Sequence, residues 1–128
     1  MISKEWRCPN RLASAPVPVK VVFPFIGDSV GGSHKSALLL IEDLAQNDVE
    51  IEVILNQTGP LSRELKKRGI AYSVSNFLAL SKYQENPTLR RWVIFLSILK
   101  VTKIIRRAQP TIVHLNDARV QLTWALPA

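Results

Sequence analysis

The sequence predicts an α/β fold, a doubly wound Rossmann-like parallel sheet, on three observations. Apolar runs of strand length alternate with helix-patterned segments, those runs are apolar on both faces, and a glycine-rich loop joins the first run to the first helix. The chain has 128 residues, 47% of them hydrophobic and 21% charged. That excludes a disordered or low-complexity chain and leaves room for one domain with a modest core, not two.

Residues 1–18 show no sustained period and end in Pro16 and Pro18, as a tail or linker does. The domain therefore begins at Val19 and runs to residue 128. Val19, Val21, Val22, Phe23, Phe25 and Ile26 make the first strand, although Pro24 removes one ladder donor. The loop from Gly27 to Ser33 leads into Ala37, Leu38, Ile41 and Leu44, spaced as a buried helical stripe. Ile51 to Leu55 reads as a second strand, and Pro60 to Arg68 as a second helix with Pro near its start and Gly69 at its end. Ala71 to Val74 is a third strand, followed by an irregular stretch to Pro87. A long helix then spans Thr88 to about Ala108, Ile112 to Leu115 forms a fourth strand, and a last helical stretch starts near Arg119. The sheet edge this leaves open implies either that another segment covers it or that the sequence is a truncated part of something longer, and truncation is the expectation.

Ligands of doubly wound sheets lie beyond the carboxyl ends of the strands, which singles out two loops. In the first, Gly31 and Gly32 let a bound group approach the backbone, and Ser33, His34 and the free amides of the helix start favour an anion such as phosphate. A purely structural role, with the glycines making the turn and Ser33 capping the helix, fits the same residues. In the second, His114 and Asn116 alternate onto one face with Asp117 just beyond, groups able to bind sugar hydroxyls or exchange a proton. A histidine packed under the rim is the alternative for His114. The first loop lacks the Gly-x-Gly-x-x-Gly order, the second strand ends in Asn56 and Gln57 and not in an acid, and no Gly-Lys-Ser or Gly-Lys-Thr is present. A bound dinucleotide cofactor and a triphosphate-cleaving loop are therefore disfavoured. Two histidines and the single Cys8 make no metal cluster, and Cys8 has no partner for an internal disulfide, which fits a reducing, cytoplasmic setting.

The net charge of +7 is concentrated in the long helix and the N-terminal tail. The helix carries Arg90, Arg91, Lys100, Lys103, Arg106 and Arg107 and no acid. A helical wheel puts Arg90, Ser97, Lys100, Lys103 and Arg107 on one side and Ile94, Phe95, Ile98, Leu99 and Ile105 on the other. The expectation is a core-facing helix with a basic outer stripe, flanked by Trp92, Val93 and Leu96. That mixture suits an anionic lipid surface, and a basic face packed against another part of the protein fits it equally. No apolar run has the length of a membrane span, and no nucleic-acid module or aromatic platform accompanies the charge.

Taken together, these residues resemble the N-terminal domain of GT-B glycosyltransferases of the family-4 type. The resemblance runs from about Val19 to the end. It rests on Gly31-Gly32-Ser33-His34-Lys35-Ser36, on Gly59-Pro60-Leu61 with Leu65 and Gly69-Ile70, and on Gln109-Pro110-Thr111-Ile112-Val113-His114-Leu115-Asn116. It implies the N-terminal, acceptor-side half of a GT-B architecture, retaining transfer from a nucleotide-sugar that is a co-substrate and not a cofactor, and a glycan or lipid-linked acceptor. By the same resemblance Gly31 and Gly32 face the transferred sugar and diphosphate, and His114, Asn116 and Asp117 line the cleft. Many members carry a second histidine where Asn116 stands. The family's C-terminal domain, with most of the nucleotide site and its paired glutamates, is missing from the sequence, so the chain alone is expected to be inactive. Attachment to the inner face of the membrane through Arg90, Arg91, Trp92, Lys100, Lys103 and Arg107 is a further expectation. A non-catalytic α/β module that binds a ligand or partner is the alternative function.

Overall fold

A computed structural model describes residues 18–77 and 87–128. The expected N-terminal tail and most of the irregular stretch before the long helix lie outside the described residues. The elements are β1 (Lys20–Phe25), α1 (Gly32–Ala45), β2 (Glu50–Leu55), α2 (Pro60–Lys67), β3 (Tyr72–Val74), α3 (Pro87–Ala108), β4 (Ile112–Val113) and α4 (Ala118–Trp124). The strands form one parallel sheet in the order β3-β2-β1-β4. The doubly wound expectation holds: the chain winds outward from β1 to β3, then crosses back to place β4 on the other side of β1.

Because alternate side chains of β1 point to opposite faces, one strand seeds two cores. Val21, Phe23 and Phe25 pack under α1 and α2 with Leu38, Ile41, Leu61 and Leu65. Val22 and Ile26 pack on the opposite face with Val101, Val120, Trp124 and Phe77, whose ring meets the Trp124 ring edge-on at 5.4 Å. Two-sided burial is why β1 and the end of β2 read as continuous apolar runs.

Pro24 determines where the sheet opens. Alternate residues of a parallel strand address the same neighbour, and on β1 the carbonyls of Lys20 and Val22 accept from the Thr111 and His114 amides of the β4 segment. Residue 24 is next in that series, and proline has no N–H to give. On the other side β1 continues in register with β2 to the end, from Lys20↔Glu50 to Phe25↔Leu55. The β1–β4 register covers only Val21↔Ile112 and Val22↔Val113, so β4 is shorter than the predicted Ile112–Leu115. The two strands part at their carboxyl ends, at the point where the strand order reverses.

The faces of α3 correct the helical-wheel reading. Ser97, expected on the basic outer side, is fully buried with Val93 and Val101, whereas Phe95 and Leu99, expected in the core, are exposed. The helix is apolar around much of its circumference, so period alone does not say which apolar side meets the sheet. Helix α3 packs beside α4, with Val101 in one cluster with Val120 and Trp124.

Candidate functional site

The crevice at the parting of β1 and β4 is bounded by the loop Gly27–Gly31 with the start of α1, and by residues 114–117 with the start of α4. Aromatic rings are buried beneath these loops: Phe23 and Phe25 stack at 6.3 Å, the His114 ring lies 5.0 Å from Phe23, and the His34 ring lies 5.7 Å from Phe25. His114 is half-buried, and among the described residues its ring nitrogens have no hydrogen-bond partner, which leaves them available to a ligand.

Helix α1 begins at Gly32, and Gly31, not Ser33, is its N-cap. A glycine offers no side-chain cap, and the role passes to His34 three residues on: its Nδ1 accepts the Gly31 N–H at 3.1 Å, as the glutamate of a capping box would. The neutral ring then carries its proton on Nε2, which is buried without a hydrogen bond and points toward Asp117 Oδ2 at 3.9 Å. His34, expected among the ligand-facing groups, is 4% exposed and acts beneath the loop. The first intrahelical bond is Lys35 N–H to Gly31 O at 3.1 Å, so the amides of Gly32 and Ser33 lack intrahelical acceptors. No acidic side chain in the first turn offsets the positive end of the helix.

Neither Gly31 nor Gly32 has a positive φ. A Cβ at Gly32 would meet nothing within 4 Å, and at Gly31 only His34 Nδ1 at 3.6 Å. Backbone conformation and packing therefore do not require glycine at either position, and both leave the helix start open to a ligand. The glycines that packing does require are elsewhere. A Cβ at Gly27 would come within 1.9 Å of the Gln57 carbonyl oxygen, and one at Gly59 within 2.3 Å of the Gly27 oxygen. The buried Asn56 side chain locks these two loops by accepting the Gly27 N–H at 3.2 Å. Sequence reasoning missed Asn56 as a scaffold residue; a polar residue directly following an apolar strand was the available signal.

Asp117 caps α4, accepting the Arg119 N–H at 2.9 Å. The Arg119 guanidinium returns to the same carboxylate, at 2.8 Å from Oδ2, and crosses to Asp28 Oδ2 at 2.8 Å. Burial pushes the Asp117 carboxyl up, but the side-chain and backbone hydrogen bonds of Arg119 outweigh it and hold the group below the ordinary aspartate value. The side-chain hydrogen bonds to Asp117 and Asp28 raise Arg119 above its ordinary value. Asn116 Nδ2 donates to the Ser33 carbonyl, a second tie between the two walls. The structure thus brings together Gly31, Gly32, Ser33, His34, His114, Asn116 and Asp117. The other predicted residues, Arg90, Arg91, Trp92, Lys100, Lys103 and Arg107, lie apart on α3. Among the described residues no group of three or more His, Cys, Asp and Glu side chains is placed to hold a metal ion.

The fold is similar to that of MurG from Acinetobacter baumannii, with a TM-score of 0.65 at 17% identity, over 87% of this chain and 32% of MurG. It is also similar to a glycosyltransferase from Rickettsia africae, with a TM-score of 0.61 at 19% identity, over 86% of this chain and 26% of that one. No protein-family model and no curated protein matches the sequence. The chain therefore has a Rossmann-like α/β fold shared with part of these two glycosyltransferase structures, as the sequence resemblance implied, and it spans about a third or less of their length.

Proposed function

We propose that this chain is the N-terminal, acceptor-side portion of a retaining glycosyltransferase that works in the cytoplasm and moves a sugar from a nucleotide-sugar to a glycan or lipid-linked acceptor. The observation that carries this reading is the open start of α1: two glycines that neither conformation nor packing requires, beside amides without acceptors. Such a helix end stabilises the negative charge that develops on a departing nucleoside diphosphate. Gly31, Gly32 and Ser33 approach the diphosphate and transferred sugar. His114, at the aromatic rim, takes or relays the proton of the acceptor hydroxyl. Asn116 and Asp117 shape the wall between them, and Asp117 acts as a charged cap whose carboxylate is already engaged by Arg119. His34 orients the loop from below. The remaining nucleotide contacts and the paired glutamates come from a second αβ domain, so transfer by these residues alone is negligible.

The test has two stages. Reading the gene past the Ala128 codon is expected to reveal a continuing frame that encodes a second αβ domain with paired glutamates. In that longer protein Gly32→Val is expected to abolish transfer while the far-ultraviolet circular dichroism stays unchanged; undiminished transfer would refute the role of the loop.

A further inference from the structure

We propose that Arg119 is an anion-binding residue of the crevice whose forked donors are masked by Asp28, and that a phosphate-type dianion displaces the Asp28 carboxylate from it. The inference deepens the reading of the crevice given above and rests on it. The guanidinium lies between two carboxylates of unequal standing. The Asp117 side chain is 11% exposed, holds Arg119 through both oxygens and at the same time caps α4. The Asp28 side chain is 38% exposed, stands in the turn after β1, and besides Arg119 meets only the Ser29 hydroxyl, at 3.1 Å, among the described residues. Asp28 is therefore the partner that leaves without breaking a helix cap.

Its geometry is that of a stand-in for phosphate. Nη1 donates to Asp28 Oδ2 at 2.8 Å and Nη2 to Oδ1 at 3.3 Å, two nearly parallel contacts that two oxygens of a phosphate reproduce. One cation against two carboxylates leaves this wall with surplus negative charge. A dianion that reaches the open amides of α1 is repelled while Asp28 stays beside Arg119, and the exchange both removes the repulsion and supplies a forked donor pair.

A buried donor without an acceptor fits the same exchange. His34 Nε2 is unpartnered and points from 3.9 Å at Asp117 Oδ2, the oxygen closest to Arg119. When the guanidinium turns toward an anion, that oxygen has a second donor beside it, and the cost of the orphan is recovered. His34 Nδ1 in turn holds the Gly31 N–H, and Asn116 holds the Ser33 carbonyl, so the chain of contacts from Arg119 ends at the start of α1.

The experiment titrates the purified full chain with inorganic pyrophosphate at neutral pH and low salt, following the Arg119 Nε–H signal, the Asp28 carboxyl carbon and the Gly32 and Ser33 amides. All four are expected to move along one saturation curve. Asp28→Asn, which removes the competing charge and keeps the shape, is expected to tighten binding about fivefold, although it weakens the clasp. Arg119→Gln is expected to weaken binding about tenfold, with Arg119→Lys between it and the parent. In the Arg119→Gln background most of the gain from Asp28→Asn should disappear. A gain of equal size there would show only general repulsion and overturn the inference, as would weaker binding by Asp28→Asn. Movement of Gly32 and Ser33 with Arg119 and Asp28 unmoved overturns it and leaves the α1 reading standing; no response in the parent and in Asp28→Asn overturns both. Glycerol phosphate as a second probe separates a monoester headgroup from a diphosphate: exchange at Arg119 with either supports the inference, and the tighter one names the source.

Discussion

Arg119 of α4 clasps Asp28 across the crevice, with Nη1 2.8 Å from Asp28 Oδ2 and Nη2 3.3 Å from Oδ1. The pair joins the loop after β1 to the helix after β4, beyond the point where Pro24 ends their backbone ladder. Side-chain electrostatics thus hold together two walls that main-chain hydrogen bonds do not. The guanidinium is half-buried, so the clasp is worth less than a fully buried pair. Arg119→Ala is expected to cost about 1 kcal/mol in urea unfolding, and Arg119→Lys to recover only part, since a point charge does not reproduce two forked contacts. Equal stability of all three proteins would show that the clasp contributes nothing.

Glycines in adjoining loops should behave oppositely. Gly59→Ala drives a methyl group into the Gly27 backbone and is expected to destabilise by about 2 kcal/mol or more. Gly32→Ala, in open space with an ordinary φ, is expected to be neutral or to stabilise by about 0.5 kcal/mol. Thermal unfolding of the two variants decides the matter, and a destabilising Gly32→Ala would mean that packing does require this glycine.

His34→Ala removes the acceptor of the Gly31 N–H and leaves a hole beside Phe25. The loss of cap and packing together is expected to be about 2 kcal/mol. His34→Gln, which keeps an acceptor, should be the milder change. In hydrogen exchange the Gly31 amide should lose protection in His34→Ala, and unchanged protection would contradict the capping role.

Acid should loosen the α4 end of the crevice. The Asp117 carboxyl is held below its ordinary value when folded, so its contribution is complete above the unfolded aspartate value of about 3.9 and is lost as the pH falls through the folded one. Asp117→Asn keeps a good helix cap and removes the charge. Its urea midpoint should lie below that of the parent at pH 7, and the gap should narrow as the pH falls below the unfolded value. A gap that stays constant with pH would rule out this linkage.

The sheet and helices were legible because Val21–Ile26 and Val53–Leu55 are apolar on both faces, and because Ala37, Leu38 and Ile41 repeat at helical spacing. The loops that form the crevice were legible from Gly31-Gly32 and from His114 and Asn116 at a strand end. The short β4 was not, since the consequence of Pro24 depends on which neighbour its missing amide would address. Nor was the contact between Gly27 and Gly59, a close approach of loops 32 residues apart that no local pattern records. The sides of α3 were misread for a chemical reason: an exposed phenylalanine and one facing a protein core are the same residue, and only the packed neighbours distinguish them.

The central claim, that the start of α1 is an anion site in the crevice, is tested most directly by titrating the isotopically labelled chain with inorganic pyrophosphate and following backbone amide shifts. The account predicts saturable movement of the Gly32 and Ser33 amides, with smaller changes at Asn116 and Asp117, and loss of these changes in Gly32→Val. Shifts confined to the basic residues of α3, or none at the start of α1, would contradict it.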